Sequence, residues 1–319
     1  MSEQNRPFPP VRLVGYGARD VSAVTAAVDW RSYERPLPEV AAVLALHLGG
    51  AFYDVGANTG FYSVLVGRLG AAEAIVAFEP IPAIADMCRR NLTLNRVAAE
   101  VRSAAVSDID GQATIHLPDQ EHGLIETSAS LNPDFKDDNR SSITVPTVTL
   151  DSANAARDHE VVGLIKIDVE GFEHAVLRGA EELTRRHRPA ITIELLDRAD
   201  FAVVNDFMAR HNYRIAPLRA AEAVPWGATA TFDGNGWNQL LAPAERTDEL
   251  AAVIADPAPL NTRLAQVLAD EVLVRDIEID VLNADLAWLY EQWQPTTPQP
   301  SRLSQWTDAV RRRRHRSRR

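Results

Sequence analysis

The stretch FYDVGANTG, residues 52–60, is a short apolar run that ends in an acid and passes into a Gly-x-x-x-Gly loop. That order reads as a buried strand, a ligand loop and the start of a helix. Gly56 and Gly60 are expected to take backbone angles closed to other residues and to leave room for a small molecule against main-chain amides. Working outward, Leu37–Leu48 has helical periodicity and leads to a strand at Ala51–Val55, with a helix at Phe61–Leu69 behind the loop. A second strand, Ala74–Glu79, follows. Pro80 and Pro82 suit the first turn of a helix reaching about Asn95, before a third strand at Val101–Val106.

Regular alternation stops after Ser107. Asp110-Gly111 signals a turn, Ala113–Leu117 alternates like a strand, and Glu121–Arg140 is polar and aperiodic, so a hairpin and a lid-like loop are expected. The pattern resumes with strands at Leu164–Asp168 and Ala190–Leu195 flanking a helix at Glu173–His187. A helix at Asp200–His211 and strands at Tyr213–Pro217 and Gln239–Ala242 follow. Short apolar runs alternating with helices indicate an α/β protein with a mainly parallel sheet. Beyond it, Leu260–Trp293 repeats apolar residues every three, four or seven positions, as a long amphipathic helix does.

The loop's charge narrows the choice of ligand. A dinucleotide would put its pyrophosphate at such a loop and normally uses Gly-x-Gly-x-x-Gly, which is absent. Asp54 would repel a pyrophosphate but attract the α-ammonium of a methionine moiety. Glu79, at the end of the second strand, is placed to accept both hydroxyls of a ribose, or else to cap the next helix. Ala105, Val106 and Ser107 would flank an adenine ring, or else simply pack as the end of the strand. A second charged constellation, IKIDVEGFE at residues 165–173, emerges at the end of a parallel strand, where ligands bind in open α/β sheets. Lys166 and Asp168 share a strand face by alternation and are expected to pair. Asp168 or Glu170 would then be the base for an acceptor hydroxyl, with Lys166 as its electrostatic helper; Asp168 with Glu194 would be the oxygen ligands of a metal-assisted variant.

Taken together, DVGANTG, FEP and IKIDVEGFE followed by VLRGA resemble the FkbM family of methyltransferases over roughly Tyr33–Leu196. The resemblance implies a Rossmann-like class I methyltransferase fold with a seven-stranded, mainly parallel sheet, and S-adenosylmethionine as methyl donor. It implies O-methylation of a hydroxyl on a sugar, glycolipid or secondary metabolite. Asp54, Gly56, Asn58, Gly60 and Glu79 match its cofactor motifs; Asp168, Glu170 and Gly171 match its second signature. An NAD-type oxidoreductase and a non-catalytic binding protein that keeps the fold are the alternatives.

On this reading residues 37–245 are the catalytic domain, 1–36 an N-terminal segment, 246–293 a helical extension and 294–319 a linker and tail. A hydrophobic fraction of 46% and a charged fraction of 24% in 319 residues suit a globular protein. The net charge is −11, although the last nine residues carry seven arginines and no acid. An acidic body argues against broad nucleic-acid binding, whereas the tail suits weak contact with an anionic membrane surface. No secretory h-region or membrane span is legible, so a cytoplasmic protein is expected. The extension is a candidate homodimer helix. Cys88, the single cysteine, cannot form an internal disulfide, and the chain shows no zinc-ligand spacing.

Overall fold

Every side chain of strand β1 (Ala51–Val55) is buried, as in a strand covered on both faces. Alternation sends Phe52 into one hydrophobic cluster and Tyr53 and Val55 into the other. The structure, a computed structural model, describes residues 13, 34–118, 139–219, 226–267, 269 and 270. Around β1, helix α1 (Leu37–Leu48) precedes it, and α2 (Phe61–Leu69), β2 (Ala74–Phe78), α3 (Pro82–Leu94) and β3 (Glu100–Arg102) follow. The second half contributes β7 (Val162–Ile167), β8 (Ala190–Glu194), α7 (Phe201–His211), β9 (Tyr213–Pro217) and β10 (Asn238–Pro243).

Seven strands form one sheet in the order β3-β2-β1-β7-β8-β10-β9. Pairs from β3 to β8 are parallel, and β10 runs antiparallel to both its neighbours. This is the mainly parallel, seven-stranded α/β architecture expected of a Rossmann-like methyltransferase.

The expected third strand is divided. Its first half is β3, at the edge of the main sheet, whereas Ala105–Val106 forms β4 of a separate three-stranded sheet with β5 (Gly111–Pro118) and β6 (Asn139–Val148). The hairpin is present, since β5 and β6 pair antiparallel. Of the expected lid, residues 139 and 140 belong to β6, and 121–138 lie outside the described residues.

The helix expected at Glu173–His187 is two helices, α5 (Glu173–Arg178) and α6 (Glu181–His187). The break is set by α4 (Leu150–Ala155), which the sequence reading lacked: the Asp151 carboxylate accepts the Glu182 and Leu183 amides at 3.0 and 2.7 Å. These are first-turn amides of α6 that no helical carbonyl can satisfy. Gly179 sits at the break because a Cβ there would lie 2.1 Å from the Ser107 carbonyl oxygen.

The chain divides into two units, Met1–Leu268 and Ala269–Arg319, and all these elements belong to the first. After a 3-10 turn (Ala244–Arg246), α8 (Thr247–Ala255) and helical residues 258–267 place Leu250, Leu260 and Leu264 in the core beside α1. The start of the expected amphipathic helix therefore docks on its own domain. Residues 269 and 270 are also helical; the remainder of that helix from residue 271, the candidate dimer contact, the linker and the Arg311–Arg319 tail lie outside the described residues. Among the described residues, no helix is long and apolar enough to cross a membrane.

Candidate active site

Parallel pairing of β2, β1, β7 and β8 brings their carboxyl ends to one edge of the sheet, and a narrow cleft opens there. Gly56 and Asn58 border it from the loop after β1, and Phe78, Glu79 and Ile81 from the end of β2. Asp168, Val169 and Glu170 border it from the loop after β7. The small sheet closes the remaining side with Ala105, Val106 and Ile115.

Glu79 is fixed by two backbone donors: Asn58 N–H donates to Oε2 at 3.0 Å and Ile81 N–H to Oε1 at 2.9 Å. Each oxygen keeps a second acceptor position. Burial pushes the Glu79 carboxyl up to about 7, against the pull of those amides. Asn58 reaches its amide geometry through a left-handed φ of 52°, a conformation that asparagine tolerates better than most residues.

Asp54 and Lys166 are register partners on β1 and β7. By alternation they lie on the face that also carries Phe52 and Leu164, under α1 and α2. Asp54 is fully buried, and its Oδ2 accepts the Ser63 amide at 3.0 Å and the Ser63 hydroxyl at 2.7 Å. Its Oδ1 is buried and accepts no hydrogen bond. Burial raises its carboxyl above the usual range despite the Lys166 charge. Lys166, 4% exposed, donates to Asp168 Oδ2 at 3.0 Å and to the Gly56 carbonyl at 3.2 Å, and its ammonium lies 5.1 Å from the Tyr62 ring centre. Burial alone would lower the lysine, but Asp168 and Asp54 together raise it above its ordinary value.

More acids stand around this ammonium. Tyr62 donates its hydroxyl to Glu34 Oε2 at 2.6 Å. Glu194, at the end of β8, is raised to about 9 by burial first and then by Asp168, Glu170 and Glu34. Glu173 accepts the Gly171 and Val169 amides at 3.1 and 3.3 Å, which shapes the turn that carries Glu170. Burial holds it near 7.

A family model described as the methyltransferase FkbM domain matches residues 54–215. The chain belongs to the FkbM methyltransferase family. It is similar to Methyltransferase 1 of Beauveria bassiana (strain ARSEF 2860), at 24% identity over 188 residues, 54% of this chain and 75% of that protein. It is 29% identical over 160 residues to the 31-O-demethyl-FK506 methyltransferase FkbM of Streptomyces tacrolimicus, covering 43% of this chain and 62% of that one. Among solved structures, the methyltransferase FkbM from Methylobacillus flagellatus KT matches at TM-score 0.39 and 17% identity, over 60% of this chain and 43% of that chain.

In this FkbM methyltransferase, six of the residues singled out from sequence, Gly56, Asn58, Glu79, Val106, Asp168 and Glu170, border the cleft. Asp54 and Lys166 instead lie buried behind it, Asp54 held by Ser63 and Lys166 paired with Asp168. Ser107 is taken up by the small sheet, its amide donating to the Val148 carbonyl at 3.0 Å. The glycines take the expected left-handed angles, φ 74° and 89°, and also admit close contacts within the protein. A Cβ on Gly56 would sit 1.7 Å from the Asp168 carbonyl oxygen, and one on Gly60 2.7 Å from Cys88 Sγ, so they let protein approach protein. Phe78, Ile81 and Ile115 were not anticipated, because an apolar residue carries no sign of which wall it will form. Among the described residues, no group of three or more His, Cys, Asp or Glu side chains could hold a metal ion.

Gly56→Ala combines that collision with a φ of 74°. It should cost about 2–5 kcal/mol from backbone strain and overpacking. Thermal unfolding checks this, and an unchanged melting temperature would contradict the close-approach reading.

Proposed function

We propose that this methyltransferase uses S-adenosylmethionine to methylate a hydroxyl of a small-molecule acceptor, a sugar, glycolipid or secondary metabolite. The observation that carries the proposal is Glu79, held by two backbone amides at the edge of a cleft that is apolar on the Phe78, Ile81, Val106 and Ile115 side and acidic at Asp168 and Glu170. The residues present fit the cofactor. Glu79 would accept the ribose hydroxyls, Ile81, Val106 and Ile115 would face the adenine, and the buried Asp54 behind the loop would add negative potential on the methionine side without touching the ligand. When bound, S-adenosylmethionine supplies a methyl group on an already activated sulfonium, so the protein's task is alignment, exclusion of water and removal of one proton.

The chain's own groups divide that task. Lys166 anchors Asp168 through Oδ2, and Glu170 projects from a turn with φ 55° beside Gly171 at φ 95°. Burial, followed by the charges of Asp168, Glu170 and Glu34, raises the Glu194 carboxyl, which disfavours it as a base. Asp168 and Glu170, which border the cleft, are the carboxylates placed to act as the base.

Calorimetric titration with S-adenosylmethionine, S-adenosylhomocysteine and NAD tests the reading. The first two should bind, and Glu79→Ala should weaken them about 100-fold or more, since hydrogen bonds to a charged acceptor are worth about 1.5–3 kcal/mol each. Because the Glu79 carboxyl sits near 7 and accepts best as the anion, affinity should rise with pH up to about 7 and then level. Glu79→Gln should flatten that profile. Preference for NAD would favour the oxidoreductase alternative instead.

A further inference from the structure

One large cavity lies outside the cleft. Its volume is about 350 Å³, at the lower end of the range for small-molecule sites, roughly 300–1,000 Å³. Val40 and Val43 of α1, Leu218 after β9, Leu240 of β10 and Ile254 of α8 make its walls. Charge is confined to Glu39 and Arg219, and Arg219 is held by Asp233 at 2.5 Å. That composition suits an aliphatic chain and excludes a bare sugar or nucleotide.

Two stretches of chain link the cavity to the charged groups at the carboxyl edge of the sheet, although it shares no lining residue with the cleft. Glu34, whose carboxylate accepts the Tyr62 hydroxyl beside Lys166, belongs to the same turn as Pro36, which borders the cavity. On the other side, Asn238 of β10 pairs with Glu194, and Leu240 lies two residues further along that strand, roughly 7 Å away at the rise of a β-strand. Leu218, Leu240, Val40 and Val43 belong to the same core cluster as Phe52 and Leu164. The cavity is therefore on the sheet face that carries Asp54 and Lys166. Charged groups gather at the reacting end and apolar ones next to it.

We infer that the acceptor is amphipathic, and that this cavity takes its aliphatic portion while the hydroxyl-bearing portion reaches Asp168 and Glu170. The inference rests on the proposed function for the position of the acceptor, but the cavity can be probed on its own. The probes are hexyl and octyl β-glucoside below their micellar concentrations, with glucose as control, titrated into the full chain by calorimetry. Octyl glucoside should bind about 10-fold more tightly than hexyl, since each buried methylene is worth several-fold in affinity, and glucose should not bind. Ala251→Trp and, separately, Ala255→Trp add a large side chain from exposed positions of α8 that border the cavity. Each should weaken octyl glucoside at least about 10-fold and leave S-adenosylhomocysteine affinity and melting temperature unchanged.

Absence of chain-length dependence, or equal octyl glucoside affinity in both tryptophan variants, overturns the inference. It is also the result expected if another part of this chain fills the cavity. A second copy seated there would appear as a dimer that Ala251→Trp dissociates, without alkyl-glucoside binding, and would overturn it too. If S-adenosylhomocysteine binds in the same preparation while octyl glucoside does not, the inference fails and the proposed function stands. If S-adenosylhomocysteine does not bind, the proposed function fails and the acceptor assignment goes with it.

Discussion

Replacing Asp168 with asparagine is expected to lower methyl-transfer turnover by about 10²- to 10⁴-fold, the range that a positioned general base contributes. Affinity for S-adenosylhomocysteine should be unchanged. The expectation follows from the strand's own geometry. Alternation along β7 puts Lys166 and Asp168 on one face, and the lysine ammonium holds Oδ2 at 3.0 Å, which fixes the direction of the second oxygen at the edge of the cleft. Asparagine keeps the shape but accepts no proton. Turnover is read as S-adenosylhomocysteine release with a hydroxylated acceptor found by screening. Asp168→Glu restores the carboxylate and should recover part of the rate, whereas loss of a merely structural contact would show as a lower melting temperature with no such rescue. Glu170→Gln is the companion measurement. If both amide variants turn over normally, neither residue is the base.

What could be read from residues alone follows from how local the cause is. The bounds of α1, β1 and α2 agree with expectation because each is an apolar run closed by glycine: Gly49 and Gly50 before the strand, Gly56 and Gly60 around the loop, Gly70 after the helix. Punctuation of that kind is local. One third strand is expected where two form because alternation along Val101–Val106 is the same whether its residues pair with β2 or with β6; only the partner strands decide. The break between α5 and α6 depends on Asp151, 31 residues before the Glu182 amide it accepts, and no local propensity encodes that.

The site divides along the same line. Charged residues at the ends of parallel strands were legible, since a charge in an apolar run needs a reason. Their division of labour was not. Nothing local shows that Gly56 must also admit the Asp168 carbonyl, or that Ser63 occupies the Oδ2 of Asp54. Glu34 lies 132 residues before Lys166 in the numbering, and only the fold brings its charge to bear on that ammonium. Ile115 becomes a cleft wall solely because the hairpin folds back over the carboxyl ends of the main sheet.

The ammonium of Lys166 is where structure and chemistry depend most on one group, and Lys166→Met should show it. Methionine fills similar volume without charge, leaving Asp54, Asp168, Glu34 and Glu194 to face one another. Removing one partner of a buried pair costs about 3–5 kcal/mol, a large share of a typical total of about 5–15 kcal/mol. The pH dependence identifies the cause. Burial already raises the folded-state carboxyls of Asp54 and Glu194 above their usual values. Between the unfolded and folded values, the native state holds protons that the unfolded state has lost, so stability falls as pH rises through that window. Without the lysine, both carboxyls move higher and the fall becomes steeper. The variant should therefore melt far below the wild type at pH 7 and approach it near pH 4, where the unfolded chain is protonating as well. Adding Asp54→Asn to Lys166→Met should recover part of the loss at pH 7, because it removes one of the uncompensated charges while Ser63 can still donate to the amide oxygen. A Lys166→Met protein as stable as wild type at pH 7 would mean that water reaches these acids, and the low-polarity interior invoked for the reacting end of the site would have to be abandoned.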